Sequence, residues 1–220
     1  MTARLLSVNL AVPGMLRSPG GRLVPSGIFK VPADGPVALS RESLEGDVQV
    51  DRRYHGGPEQ AVYAYASEHA AHWSRELETP EPLPPGFFGE NFTTENLLED
   101  GVAIGDVYRV GAALVAVTRP RSPCFKLGLR VGSPRFLRTF LGSGRLGFYL
   151  RVLEEGDVQA GDLIERIGRD SRPVFVSELV RLLYSRPVDP AAVQRALRSE
   201  ALAPALRSRL AERLSETRPS

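Results

Sequence analysis

Up to about residue 170, apolar residues come in short runs cut by glycine, proline and aspartate. That rhythm predicts many strands joined by turns. Residues 4–12 alternate weakly and read as a first strand, and PGMLRSPGGRLVPSG after them reads as a turn-rich loop. Short β-type runs follow at residues 27–30, 37–40 and 47–50, and AVYAYA, residues 61–66, has the alternation of a half-buried strand. Ser67 then opens a predicted helix, SEHAAHWSREL, as its N-cap. TPEPLPPG, residues 79–86, must be a connecting loop, and FFGENFTTENL beyond it has little periodicity.

Residues 104–118 predict a hairpin turning at Gly111. Five glycines in residues 128–147 leave room for one short helix around residues 136–141, and residues 147–153 and 162–167 read as two closing strands. The expectation is a mainly β barrel with small helical insertions, over residues 1–168. From residue 169 the period becomes helical, with Val176, Leu179, Val180 and Leu183 on one stripe. Asp189-Pro190 predicts a capped second helix, and Pro204 starts a third carrying Leu206, Leu210 and Leu214. Residues 169–220 are therefore read as a small three-helix module, its arginines a solvated face.

At 220 residues and 42% hydrophobic the chain can bury a sizeable core. Its net charge of +2 argues against a general nucleic-acid binder. The charge is uneven: residues 172–220 hold nine arginines against five acidic residues, so the positive surplus sits on the helical module. No run approaches a membrane span of ~20 apolar residues. The apolar stretch at residues 5–12 contains Ser7 and Asn9 and reads as a strand, not a signal peptide. A single cysteine excludes an intramolecular disulfide, which fits a reducing, cytoplasmic compartment.

That cysteine, Cys124, lies in TRPRSPCFKLGL, residues 118–129, crowded by Arg119, Arg121 and Lys126 and stiffened by Pro120 and Pro123. Neighbouring cations favour a thiolate, the nucleophilic and metal-ligating form, and the plain alternative is a small buried hydrophobe. DRRYHGG, residues 51–57, places Arg52, Arg53 and His55 beside Gly56 and Gly57, a combination suited to an anion-binding turn or to a tight hairpin. GEN brings Gly89, Glu90 and Asn91 together, and a carboxamide suits reading a heterocycle edge. His69 and His72 lack a third ligand nearby and read as surface histidines. GSGRLGF, residues 142–148, lacks the strand and helix of a nucleotide loop.

In order, DRRYHGGPEQAVYAY, FFGENFTTENL, IGDVYRVGAALVAVTRPRSPCFKL and GFYLRVLEEGDVQAGD resemble the MOSC family, named for the C-terminal domain of molybdenum cofactor sulfurase. The resemblance spans roughly residues 25–215 and is nearest to the YiiM-type subgroup with its three-helix module. It implies a β-barrel binding molybdenum cofactor, with Cys124 ligating molybdenum or carrying sulfur. By the same resemblance Arg53, His55, Gly56, Gly57, Gly89, Glu90, Asn91, Arg121, Ser122 and Lys126 are expected to bind the cofactor. Arg53, Arg121 and Lys126 would converge on its phosphate, while Asn91 or Glu90 would read the pterin. Gln60 stands where relatives commonly have lysine and Tyr54 where many have histidine, which moves phosphate binding toward the three cations. Binding of pyridoxal phosphate is left open.

The implied activity is reduction of small N-hydroxylated substrates, with electrons from a separate reductase, because the chain shows no flavin or iron–sulfur site. The alternative is a cofactor carrier or a sulfur-transfer protein bearing a Cys124 persulfide. DNA binding through the three-helix module has no helix-turn-helix signature behind it. No membrane or nucleic-acid partner is expected, and the resemblance leaves room for a homodimer. The helical module is expected to serve docking or oligomerisation, apart from the pocket.

Overall fold

The computed structural model describes residues 2–48, 50 and 56–216. Its first half contains β1 (Ala3–Ala11), β2 (Gly14–Arg17), β3 (Leu23–Ser26), β4 (Lys30–Pro32), β5 (Val37–Leu39), β6 (Val62–Ala66), helix α1 (Ala70–Glu76) and β7 (Phe92–Glu95). Then come β8 (Val107–Val110), β9 (Ala113–Pro120), α2 (Phe125–Val131), α3 (Phe136–Ser143), β10 (Phe148–Glu154), β11 (Gly156–Val158) and β12 (Leu163–Gly168). The chain ends in α4 (Val176–Tyr184), α5 (Pro190–Ala196) and α6 (Pro204–Ser215).

Seven strands close on themselves in the order β1-β12-β8-β9-β10-β6-β7, with β7 pairing back to β1 and β4 added outside β1. Every pairing in the ring is antiparallel except β6 with β7, where Ala64 faces Phe92 in parallel register. Parallel neighbours cannot be joined by a tight turn, so the chain must cross over. That crossover carries α1, the proline-rich loop and the GEN motif to one end of the barrel. The barrel interior is filled by Leu5, Val62, Ala64, Phe92, Val115, Leu150 and Ile164. β6 is buried on both faces: Val62 and Ala64 point into the barrel, while Tyr63 and Tyr65 enter an aromatic cluster with Trp73, Phe88, Phe136 and Phe140. The β-barrel with small helices and a C-terminal helical module matches the expected architecture.

Several elements differ from expectation. The predicted loop after β1 folds as the β2–β3 hairpin. The predicted strand at residues 47–50 is not one among its described residues, because the Asp47 carboxylate accepts the Ala11 N–H at 2.7 Å instead of a ladder forming. Ser67 begins a 3-10 turn and makes no side-chain cap. His69 is buried and paired with Glu99 at 2.8 Å, so it is not a surface histidine. Asp189 does cap α5, accepting the Ala192 N–H at 3.0 Å. Two module arginines are not on a solvated face: Arg207 donates to the carbonyls of Leu197, Leu202 and Ser199, and Arg213 to those of Leu182 and Ser185.

The helical module shares the barrel's core. Val176, Leu179, Leu183, Val193 and Leu210 belong to one apolar cluster with the barrel's Val102, Ile104 and Val117. Backbone bonds from Ile104 to Val174 at 2.9 Å and from Val176 to Val102 at 2.8 Å stitch the two together. Two carboxylates fix the connection. Asp106, fully buried, accepts from Ala103 N at 2.9 Å, Tyr108 Oη at 3.1 Å and Arg169 in a two-pronged contact at 2.7 and 2.5 Å. Asp170 accepts from Ser199 Oγ at 2.8 Å and from the N–H groups of Arg172, Glu200 and Ala201, which ties the linker to the α5–α6 turn.

Asp106→Ala leaves Arg169 without its carboxylate partner and two buried donors unsatisfied, so denaturant unfolding should show a loss of about 3–5 kcal/mol. For Asp170 the backbone and Ser199 hydrogen bonds hold the carboxyl at about 2, below its ordinary 3.8. A depressed folded value stabilises above the unfolded value and is lost as pH falls through the folded one. The Asp170→Asn variant should therefore lose less stability than the natural chain between about pH 4 and pH 2, measured by thermal melts across that range.

Candidate functional site

One cleft opens at the end of the barrel where the crossover, the β3–β4 connection and the loop after β9 meet. Its lining includes Gly27, Lys30, Asp47, Gly56, Gln60, Tyr63, Gly89, Asn91, Arg121, Cys124, Lys126 and Tyr149. Its enclosed space is about 120 Å³, with a mouth open to solvent.

Asn91 ties the strand ends beneath this cleft. Its Nδ2 donates to Asp47 Oδ2 at 2.8 Å and to the Asn9 carbonyl at 3.3 Å, and its Oδ1 accepts the Tyr63 N–H at 3.2 Å. Its own backbone bonds to Asn9 and Tyr63 as well. Both amide hydrogens are thereby used inside the protein. Asp47 then holds Lys30 Nζ at 2.6 Å, both side chains almost fully buried. Burial pushes the Lys30 ammonium down from its ordinary value, and the Asp47 charge and hydrogen bond oppose that shift.

Glu90 is equally committed. Oε1 accepts from Gly86 N at 2.6 Å and Thr93 Oγ1 at 3.1 Å, and Oε2 accepts from Phe88 N at 3.0 Å. Burial raises its carboxyl above the ordinary range, although these hydrogen bonds and Arg121 pull the other way. The carboxylate shapes the loop that presents Gly89. At that glycine, with φ +82°, an added Cβ would stand 2.9 Å from Ile28 Cγ1, so the close approach of the two loops needs glycine. Opposite, a Cβ on Gly27 would meet the Val48 carbonyl at 2.6 Å.

Arg121 is buried. Its guanidinium lies 4.6 Å over the Tyr63 ring and 5.5 Å from the Phe140 ring, and Nη1 donates to Tyr63 Oη at 3.0 Å. It is a fixed charge in the cleft wall, held by aromatic faces. Tyr63 Oη passes its own hydrogen on to the Leu146 carbonyl at 2.8 Å. Lys126 lines the cleft half-buried and has no hydrogen bond or ion pair among the described residues. Arg130, on the same helix, is engaged elsewhere: it donates to the Ile28 carbonyl at 2.8 Å and lies over Phe29 and Phe87.

Cys124, half-buried, occupies the N-cap position of α2 and lines the cleft. The backbone at Cys124 is extended, as expected of a residue at the N-cap of a helix. Tyr149 lies close by. Burial raises its phenol above the ordinary value, the Arg121 and Arg119 charges lower it, and negative charge at Cys124 raises it further. Its hydroxyl has no hydrogen-bond partner among the described residues, and no motif marked this residue in the sequence.

Of the predicted residues, Gly56, Gly89, Asn91, Arg121, Cys124 and Lys126 line this one cleft. Three stand apart. Ser122 turns away and its Oγ meets Tyr184 Oη of α4 at 3.0 Å. Glu90 has its oxygens engaged with its own loop, and Gly57, with φ +82°, sits at the start of the 3-10 turn Pro58–Gln60. The Asn91 amide hydrogens and the Glu90 oxygens, expected to read the pterin, are thus engaged by the scaffold. Arg53 and His55 lie outside the described residues. Through the contact of Ser122 with Tyr184 the helical module touches the motif loop from behind, and no described residue of the module lines the cleft.

The MOSC domain model matches residues 51–165, and the YiiM-like 3-alpha helix domain model matches residues 174–217. The uncharacterised protein YflK of Bacillus subtilis is 39% identical over 204 residues, 93% of this chain and 91% of that protein. A protein named "Reductase" from Gibberella moniliformis is 38% identical over 172 residues, 77% of this chain but 30% of that protein. The crystal structure of YiiM from Geobacillus stearothermophilus superposes with a TM-score of 0.78 at 31% identity, covering 96% of this chain and 99% of that one. The chain belongs to the MOSC-domain family and carries the YiiM-like three-helix domain behind its barrel.

Proposed function

We propose that this protein is a molybdenum-cofactor-dependent reductase of N-hydroxylated compounds, with Cys124 as the protein ligand to molybdenum. One observation carries the reading: the only thiol of the chain opens into the same cleft as Lys126, which is unpaired among the described residues, between loops that approach at Gly27 and Gly89. A relative named a reductase supports the reaction class.

The residues present fit the group. A soft thiolate suits a sulfur-rich metal centre, and an ammonium suits an anionic one. The enclosed 120 Å³ is smaller than the roughly 300–1,000 Å³ usual for ligand pockets, so most of a pterin would lie across the open mouth. When bound, the cofactor supplies the redox centre that passes electrons from a separate reductase to the substrate.

The chain's own residues do the rest. Lys126 holds the anionic part of the ligand, a role that Gln60, neutral in the same cleft, does not fill. Arg121, buried over the Tyr63 and Phe140 rings, contributes a standing positive charge. Tyr149 keeps its proton and can donate a hydrogen bond from Oη to the substrate's N–O oxygen. In the overall reaction the N–O bond breaks, two electrons and two protons are taken up, and an amine and water leave.

The test uses protein made in a host that synthesises molybdenum cofactor. Purified protein should contain molybdenum and reduce a hydroxylamine with a reduced dye as donor. Cys124→Ser should melt as the natural chain does yet lose at least about 100-fold in turnover, on the scale at which changes around metal ligands act. Lys126→Ala should retain cofactor about tenfold less well, as expected for one charged hydrogen bond. Full turnover by loaded Cys124→Ser would remove the direct-ligand reading, and sulfur release from Cys124 would point to persulfide transfer.

A further inference from the structure

A second cleft, of about 750 Å³, lies on the other side of the aromatic cluster, between the loop after α3 and helix α4. It is separate from the Cys124 cleft and nothing in the proposed reduction uses it. Gly142–Arg145, the end of α3 and the two residues after it, forms one wall, and Ser177, Arg181, Tyr184 and Ser185 of the helical module form another.

Arg138, Arg145 and Arg181 all line this cleft, and none has an ion pair or a side-chain hydrogen bond among the described residues. Free surface arginines are common, but Arg145 is a placed one. Its carbonyl accepts from Tyr65 Oη at 3.1 Å and its N–H donates to Ser143 Oγ at 3.0 Å. The backbone is pinned on both sides while the guanidinium is left without a partner. An added Cβ at Gly142 or Gly144 would meet nothing within 4 Å, so the space over this wall is open. An arginine fork matches phosphate oxygens in a two-pronged contact.

The carboxylates of the cleft decide what else the ligand carries. Glu99, on the floor, is hydrogen-bonded to His69 at 2.8 Å and accepts the Gly147 N–H at 2.7 Å. Glu68 uses Oε1 on the Asn96 N–H at 2.6 Å, which leaves Oε2 with only a long 3.4 Å contact to Ser67. Asp100 is exposed and without a partner among the described residues. A bare phosphate gains nothing from these acceptors, whereas sugar hydroxyls do, as carboxylates that bind ribose show. We propose that this cleft binds a phosphorylated sugar, its phosphate against Arg138, Arg145 and Arg181 and its hydroxyls against Glu68 and Asp100.

Calorimetric titration of the full chain with ribose 5-phosphate, inorganic phosphate and ribose tests this. Saturable binding of the sugar phosphate, tighter than either fragment alone, is expected. Arg138→Ala and Arg181→Ala, both at exposed positions and so folding normally, should each weaken it roughly three- to tenfold. Lys126→Ala in the first cleft should leave it unchanged. Equal binding of inorganic phosphate and the sugar phosphate would reduce the cleft to a simple anion trap and overturn the sugar assignment. No saturation on the order of millimolar ligand, or loss of binding on Lys126→Ala alone, would overturn the site.

Discussion

The Asn91 carboxamide holds the mouth of this barrel together. It joins β1 through the Asn9 carbonyl, β6 through the Tyr63 N–H and the residue 47 loop through Asp47. A parallel β6–β7 pair forces a crossover, and a crossover returning to a barrel rim leaves loop backbone that must be satisfied in a buried place. Asn91 and Glu90 meet that demand with side chains. Losing either would leave buried donors or acceptors unpaired, which costs more than the mean value of a hydrogen bond.

Because those side chains are committed to the scaffold, the groups left for a ligand among the described residues are few. Lys30 is neutralised by Asp47, Arg121 is seated between aromatic rings, and Arg130 covers Phe29 and Phe87. Cys124, Lys126 and the Tyr149 hydroxyl remain facing the cleft. The helical module reaches the same loop from behind, through Tyr184 and Ser122 at 3.0 Å, and Tyr184 also lines the second cleft. One of the contacts between barrel and module is thus a hydroxyl pair two residues from Cys124.

The strands legible in the sequence were those with one dry and one wetter face, such as β10, or with clear turns at both ends, such as β8 and β9. β7 was not legible because Phe92, Thr93 and Thr94 are all buried, so no alternation marks it. Helix α2 was obscured by Gly128, a poor helix former kept where an added Cβ would press within 3.3 Å of Leu137. The candidate site was legible as a set of motifs but not as a division of labour. Glu90 and Asn91 carry ligand-like chemistry, and only their partners show that it is turned inward. Tyr149, Asp47 and the Ser122–Tyr184 contact had no local signal at all, since each depends on segments brought together by the fold.

The proposed reduction requires a bond between the Cys124 sulfur and the metal. X-ray absorption at the molybdenum edge of cofactor-loaded protein measures the sulfurs around the metal directly. The natural chain should show one more sulfur scatterer than the Cys124→Ser variant loaded to the same molybdenum content. An identical sulfur shell in both proteins would contradict it.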